Sequence, residues 1–445
     1  MASAPSRSRT TMGARGQSTR KSRELARCTA ACALLLACST ARQVAARQLW
    51  TNDDASYKLA LDSAFKTTWL LSRMPRDPVL FPKRTNETAL FRLRLSLSAA
   101  LGEHVDSQVS YEQRARLTSD TTGLSGSGLL PASTRAPFRV APIEQALIDR
   151  PGLSHQHELD RAYVALHFSP LELSIGRQAL GLGRGVLFSA VDVFAPFSPL
   201  EVDREWRRGV DAVHAEWSFG EYLSSDVIGA ADHHFRDGAL LGRVRGYIGD
   251  FDAALLGGKR AADWMLGGTA SAVLGDAEVH GEAAWFRTDG SGFECGWLGS
   301  ERWVARFVAG GSYQFDVGRG LRLLAEYHYS GFGLRDVGRD ASLLLDPAFQ
   351  LRLARGDTQL LGRHVLAVVL SYDLADTVSG SLTSLVSPID GSGLVAPSIT
   401  FNYSDTVTLL ASGYVPWGAK PREGAPRSEY GTSGLTGLLQ LRIYD

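Results

Sequence analysis

From Tyr57 to the C-terminus the chain runs through about eighteen short segments in which apolar and polar residues take alternate positions. Alternation of this kind belongs to a β-strand whose two faces meet different surroundings, because successive side chains leave opposite sides of the backbone. It is sharpest where the polar positions are charged. Leu93, Leu95 and Leu97 alternate with Arg92, Arg94, Ser96 and Ser98; Val109, Tyr111, Ala115 and Leu117 alternate with Gln108, Ser110, Glu112, Arg114 and Arg116. The split recurs in Val279, Gly281, Ala283 and Trp285 against Glu278, His280 and Glu282, and in Leu321, Leu323, Ala325, Tyr327 and Tyr329 against Arg322, Glu326, His328 and Ser330. Any one of these strands would suit the solvent side of a soluble sandwich. Eighteen of them fit a wall with lipid outside and water inside.

The links between segments sharpen this reading. Those at 101–104, 169–170, 219–222, 249–250, 275–276, 317–320, 375–376 and 404–405 are very short. Between them fall the larger links at 72–87, 118–156, 181–208, 288–302, 330–361 and 416–433, with a few shorter ones such as 260–263. Loops sorted by side predict an all-β, transmembrane, antiparallel up-and-down β-barrel of about 18 strands, 16 being the alternative, with tight periplasmic turns and long external loops. Residues 57–445 form the barrel, residues 47–56 a periplasmic N-terminal segment, and Leu435–Tyr444 the closing strand, after which Asp445 follows where outer-membrane proteins commonly end on an aromatic residue. Aromatic residues near segment ends (Tyr57, Trp69, Trp217, Trp264, Trp285, Trp303, Tyr329, Tyr403, Trp417 and Tyr444) suit the headgroup level of a membrane.

Composition excludes the main alternatives. The chain has 445 residues, is 44% hydrophobic and has a mean hydropathy of -0.07, yet it lacks the ~18 consecutive apolar residues of a spanning helix. Residues 1–46 read as a signal peptide, with a basic start from Arg7 to Arg27, a short apolar stretch between Cys28 and Cys38, and Val44-Ala45-Ala46 as cleavage site; lipoprotein cleavage before Cys38 is the alternative. Cleavage leaves Cys295 alone, so no internal disulfide is possible. Taking the leader's eight basic and one acidic residue from the 47 of each leaves 39 basic and 46 acidic residues. An excess of seven negative charges argues against nucleic acid as a partner.

The most distinctive stretch, 175–213, holds Gly176-Arg177-Gln178, Gly183-Arg184-Gly185, Asp192-Val193-Phe194-Ala195-Pro196-Phe197 and Arg208-Gly209-Val210-Asp211-Ala212. In these elements the chain resembles uncharacterised porin-like outer-membrane β-barrel proteins of Gram-negative bacteria, which often have Trp in place of Leu182 and Asn in place of Ala195. The Gly-Arg-Gln element is also similar to the eighteen-stranded alginate-export barrels. A weaker likeness to the porin-like class covers 390–415. The resemblance implies a third external loop, 181–208, folded back to narrow the pore.

The expectation is therefore a bacterial outer-membrane channel for passive diffusion of small hydrophilic or charged solutes, with outer-membrane lipid around it and the barrel-assembly machinery as partner of its C-terminal strand. No enzyme activity, cofactor or metal is expected. The constriction would comprise Arg177, Arg184, Asp192, Asp203, Arg204, Glu205, Arg207 and Arg208, faced by wall residues Arg92, Arg94, Glu112, Arg114, Arg116, Glu278, Glu282, Arg322 and Glu326. Opposed charges would set up a transverse field that selects solutes, or would serve as salt bridges that hold the loop. A plugged structural or anchoring barrel, or a sleeve for export of a polymer or partner protein, is the other reading. Other chemistry is weaker: Gly181 to Gly185 lacks the spacing and the helix of a phosphate loop, Asp232-His233-His234 lacks further metal ligands, and His328 and Ser330 point to the polar face, away from the lipid a phospholipase needs.

Overall fold

The computed structural model describes residues 47–52, 56–119, 129–130, 137–141, 143–288 and 302–445. The proposed leader, Cys295 and most of the 288–302 link lie outside the described residues. Twenty strands form one antiparallel sheet: β1 (Arg47–Thr51), β2 (Tyr57–Arg73), β3 (Thr85–Leu101), β4 (Val105–Thr118), β5 (Gln145–Arg150), β6 (Leu153–Phe168), β7 (Leu171–Gln178), β8 (Val210–Phe219), β9 (Leu223–Ala230), β10 (Ala239–Ile248), β11 (Phe251–Arg260), β12 (Asp263–Leu274), β13 (Ala277–Arg287), β14 (Trp303–Phe315), β15 (Leu321–Ser330), β16 (His364–Ala375), β17 (Val378–Val386), β18 (Gly393–Asn402), β19 (Val407–Trp417) and β20 (Leu435–Tyr444). Eighteen of them close a ring, because β4 pairs with β6 directly and β20 pairs with β2 from Ala64 to Arg73. Closure leaves no open edge, as a sheet in lipid requires.

The two extra strands patch the ends of longer neighbours. β20 stops opposite Ala64, and β1 takes over the same edge lower down, pairing Arg47 with Leu61 and Thr51 with Lys58. β7 covers β6 only from Ala162 to Phe168, and β5 pairs with the stretch above it, Leu153 to His157. Neither strand is announced by a long alternating run.

In and out follow the alternation. Leu93, Leu95 and Leu97 are 38–39% exposed on the outer wall, whereas Arg92 and Arg94 are 7% and 5% exposed inside. Leu240, Leu255, Leu266 and Ile399 stand on the outer wall as well, an apolar exterior suited to lipid. The expected rim aromatics Trp217, Trp264, Trp285, Trp303, Tyr403 and Trp417 are exposed. Tyr444 is different: its hydroxyl donates to Glu205 at 2.8 Å, so it faces the lumen.

Toward the long loops, the inside of the barrel is not watery but packed. Phe138, Leu182, Val191, Val193, Phe194, Phe286, Phe332 and Phe349 form one apolar cluster, and Leu70, Leu90, Phe188, Val308, Val365, Leu385 and Leu394 a second. Inward residues of the strand ends supply one side of each cluster and loop residues the other. Loop 331–363 contributes a short helix, α1 (Pro347–Ala354), started by Asp346, whose carboxylate accepts from the Ala348 amide at 2.7 Å.

Candidate functional site

Between β7 and β8, residues 179–209 lie inside the ring and bind its wall on several sides. The middle of this loop is held by two wall carboxylates. Glu282 on β13 accepts from the amides of Arg184, Gly185 (2.7 Å), Ala190 (2.6 Å) and Val191 (3.3 Å) and from the Ser189 hydroxyl (2.8 Å). Glu326 on β15 accepts from the amides of Val186, Leu187 (2.8 Å) and Phe188 (3.2 Å), and His280 Nε2 stands 2.9 Å from Oε1, the oxygen that the Val186 amide also reaches. The Gly183-Arg184-Gly185 segment makes this possible. A Cβ at Gly183 would sit 2.8 Å from the Glu282 carboxylate, and one at Gly185 would sit 2.0 Å from the Phe188 carbonyl oxygen. The loop thus wraps its backbone around two anions in the way helix N-termini and nests do.

The charged end of the loop meets the opposite wall through ion pairs. Asp203 receives Lys66 at 2.8 Å and Arg92 at 2.9 Å, and Glu205 receives Lys66. Arg92 also holds Glu112 at 2.8 Å, Arg94 bridges Glu112 at 3.4 Å and Asp160 at 2.7 Å, and Arg114 binds Glu112 at 3.2 Å and Glu158. Trp206 lies under three cations, with Lys66, Arg92 and Arg94 at 3.7, 4.8 and 5.0 Å from its ring centre. Arg207 pairs with Asp192, Arg184 with Asp252, and Arg208 with Glu158 at 3.6 Å. Arg177 binds Asp211 at 2.7 Å and donates to carbonyl oxygens of Leu159 and Ala141, which joins β6, β7, β8 and the 119–152 link rather than lining the space. Arg116 continues the inward face of β4 toward the long loops. Glu278 and Arg322 are exposed below the loop, and neither has a recorded hydrogen bond or ion pair to it among the described residues.

Several members of this network were not among the expected residues. Lys66 shares the inward face of β2 with Ala64 and Thr68, so its alternation is weak. Glu158, Asp160 and Arg161 of β6 all reach the network, which strict alternation forbids. A bulge explains it: Ser110 pairs with Arg161 and Tyr111 with Leu159, leaving Asp160 as the extra residue. Arg306 is fully buried beneath the loop and donates to the Ser189 carbonyl oxygen at 2.5 Å.

Along β17–β20 the loop stands off the wall. A slot of about 260 Å³ separates Leu187, Leu200, Glu201 and Arg204 from Ser398, Ser412, Tyr414 and Arg442. Arg204 donates to the carbonyl oxygens of Val186 (3.3 Å) and Ser198 (3.1 Å), and Arg442 to Gln440 at 2.6 Å. No ion pair is recorded for either arginine among the described residues. On the side of the short turns, a vestibule of about 450 Å³ is lined by Asp62, Arg161, Glu205, Trp206 and Tyr444.

Other chemistry finds little footing. Asp232 accepts from the Phe138 and His233 amides at 2.7 and 2.6 Å, a loop-fixing role beside two exposed histidines. His214, Glu216 and Asp226 gather on the inner wall, but Arg243 already binds Asp226 with two bonds at 3.0 and 2.8 Å. His328 stacks on Phe188 and Ser330 donates to the Asp357 carbonyl oxygen, both inside.

No protein-family model matches the chain, and no curated protein matches it in sequence. Solved structures match its fold. The Acinetobacter baumannii protein OccAB1 aligns over 90% of this chain and 98% of its own, with a TM-score of 0.54 at 10% identity. Pseudomonas aeruginosa OccK9 (OpdG) aligns over 87% and 98%, with a TM-score of 0.54 at 11% identity, and Acinetobacter baumannii OccAB2 over the same shares with 0.51 at 9%. The fold is that of Occ/OprD outer-membrane porins. The expected likeness to alginate-export barrels finds no support in these similarities.

Proposed function

We propose that the protein is an outer-membrane channel for passive diffusion of small polar solutes, constricted by the loop 179–209. The observation that carries this reading is the loop's position: it spans the lumen from Lys66 and Arg92 on one wall to Glu282 and Glu326 on another, yet leaves space along β17–β20. The shared fold with the Occ porins and the apolar outer wall support the membrane placement. The mechanism is physical: the loop sets the cross-section, and the groups facing the remaining space replace part of a solute's hydration. Of the expected constriction residues, Arg204 faces the slot and Glu205 the vestibule. Arg184, Asp192, Asp203, Arg207 and Arg208 act in the salt bridges that hold the loop, and Arg177 ties strands β6 to β8 together. Assembly would use β20, the strand that seals the ring against β2.

The packed clusters toward the long loops favour a second reading, a plugged barrel that anchors or guides a partner. Single-channel recording of the refolded protein in a planar bilayer separates the two. Stepwise conductance that rises when residues 182–202 are trimmed supports the channel; a silent barrel, trimmed or not, supports the plug.

A further inference from the structure

The slot described above does not stand alone. Toward the long loops it meets a chamber of about 610 Å³ whose walls come from five loops and the strand ends: Leu80 and Phe81 from 74–84, Leu129 from 119–152, Leu200 from 179–209, Leu345 and Leu361 from 331–363, and Pro426 from 418–434. Leu200, Leu394 and Tyr414 line both spaces. Below the slot, Arg442 and Tyr444 are successive inward residues of β20, and Tyr444 belongs to the vestibule. Chamber, slot and vestibule therefore lie in series.

The chamber is a built space. Asp77 accepts from the amides of Val79, Leu80 and Gly424 at 2.9–3.0 Å, tying 74–84 to 418–434. Glu429 accepts from the amides of Leu361 (3.0 Å) and Gly362, tying 418–434 to 331–363. Its lining is predominantly apolar, with Met74, Leu80, Phe81, Leu129, Leu344 and Leu345 among the residues that face it. A water path alone has no use for that lining, since apolar walls offer no hydrogen bonds to a hydrated solute.

We infer that chamber, slot and vestibule form the solute path, and that the path is built for small amphiphiles, solutes with a compact apolar group beside a zwitterionic head. This rests on the channel reading and names the solute class it leaves open. An apolar cavity of ~150 Å³ already accepts benzene, and small-molecule pockets commonly measure ~300–1,000 Å³, so the chamber holds an aryl or branched alkyl group with room to turn. In the slot, Glu201 on the loop and Arg204 and Arg442 on its two sides offer both signs of charge to a head group. The rest of that wall is uncharged, with small Thr383, Ala396, Ser398 and Ser412 beside Leu394, Leu410 and Tyr414, and lets the solute move on. A sugar of similar size gains nothing in the chamber.

The test uses the refolded full barrel in planar bilayers, in a Cys295→Ser background. Ser398→Cys and Ser412→Cys channels, treated with a bulky cationic methanethiosulfonate, should lose more than half of their current. Ser110→Cys, buried against Ser96 in the opposite arc, should lose none. L-phenylalanine added on the long-loop side should block the current at a concentration about tenfold lower than L-serine, because burying a phenyl ring favours binding by at least the ~1.4 kcal/mol to which a tenfold change corresponds. Leu345→Asp should shrink that difference. Conducting channels in which the thiols introduced at positions 398 and 412 stay unmodified, or carry the reagent without loss of current, overturn the path. Equal block by the two amino acids overturns the solute class. A protein that never conducts overturns the channel reading itself, a result distinct from either.

Discussion

The inner wall from β2 to β15 and the inner wall from β17 to β19 share one strand geometry and carry opposite chemistry. In the first arc, Lys66, Arg92, Arg94, Glu112, Glu282 and Glu326 are buried, and each commits its charge to a neighbour or to the backbone of the inserted loop. In the second, Thr383, Ala396, Ser398 and Ser412 face free space and hold nothing of the loop. The comparison teaches that charge inside a barrel does not by itself line a pore. A charge that is desolvated and paired fixes structure, and its field is largely cancelled at a distance by its partner. The solute meets what the loop leaves over, and here that is a neutral strip with Arg204, Glu201 and Arg442 at its edges.

The strongest way to break this contrast is to free the loop. In Glu282→Ala with Glu326→Ala, seven backbone amides, those of residues 184 to 188, 190 and 191, lose their acceptor. At ~1–3 kcal/mol for each buried group left unsatisfied, the bound position becomes untenable while the ring, held by inter-strand bonds, stays closed. Conductance should rise several-fold and become noisy, with heat-modifiable gel mobility retained. Unchanged conductance in a folded double variant would place the loop's hold elsewhere.

A smaller effect is expected at the charged end. Among the described residues, Lys66→Met leaves Asp203 with Arg92 alone and Glu205 with only the Tyr444 hydroxyl. Breaking a buried pair costs ~3–5 kcal/mol, less what Arg92 retains. The temperature at which the folded band disappears should fall, whereas Ser398→Ala in the neutral arc should change stability by no more than ~0.5 kcal/mol. Equal shifts in the two variants would erase the distinction between arcs.

The wall was legible in the sequence and the hold on the loop was not. All eight short turns lie where alternation breaks, because a strand that faces lipid on one side and water on the other writes its period into every second residue. That signal fades toward the long loops. There Val365, Ala367, Leu385 and Leu394 point inward onto packed loops, so both faces are apolar and the strand ends read as plain runs. The bulge at Asp160 hid two acids and an arginine by breaking the period. Glu282 and Glu326 were visible as inward charges, but their partners are amides of glycine and apolar residues, which carry no side-chain pattern. Charge invited a search for opposite charge, and the loop's middle answered with backbone instead.

The mildest test concerns the loops that frame the chamber, where one carboxyl is tuned by burial. Desolvation pushes Glu429 up from its ordinary value of 4.5 to about 7, against the pull of the Leu361 and Gly362 amides, with Asp390 adding to the rise. Between pH 4.5 and 7 the folded state therefore binds more protons at this site than the unfolded one, so stability falls as pH rises through that window and is level above it. At ~1.4 kcal/mol per unit the full change is about 3 kcal/mol. Asp77 and Asp390 behave oppositely: their backbone and hydroxyl donors hold them below their ordinary value, and their contribution disappears only in stronger acid. The amides of Leu361 and Gly362, corrected for intrinsic exchange, should thus be better protected from hydrogen exchange at about pH 5 than at about pH 8. Glu429→Gln, neutral throughout, should keep the protection of the acid state at both. Persistence of the same pH dependence in Glu429→Gln would assign it to another group and leave the two loops joined by packing alone.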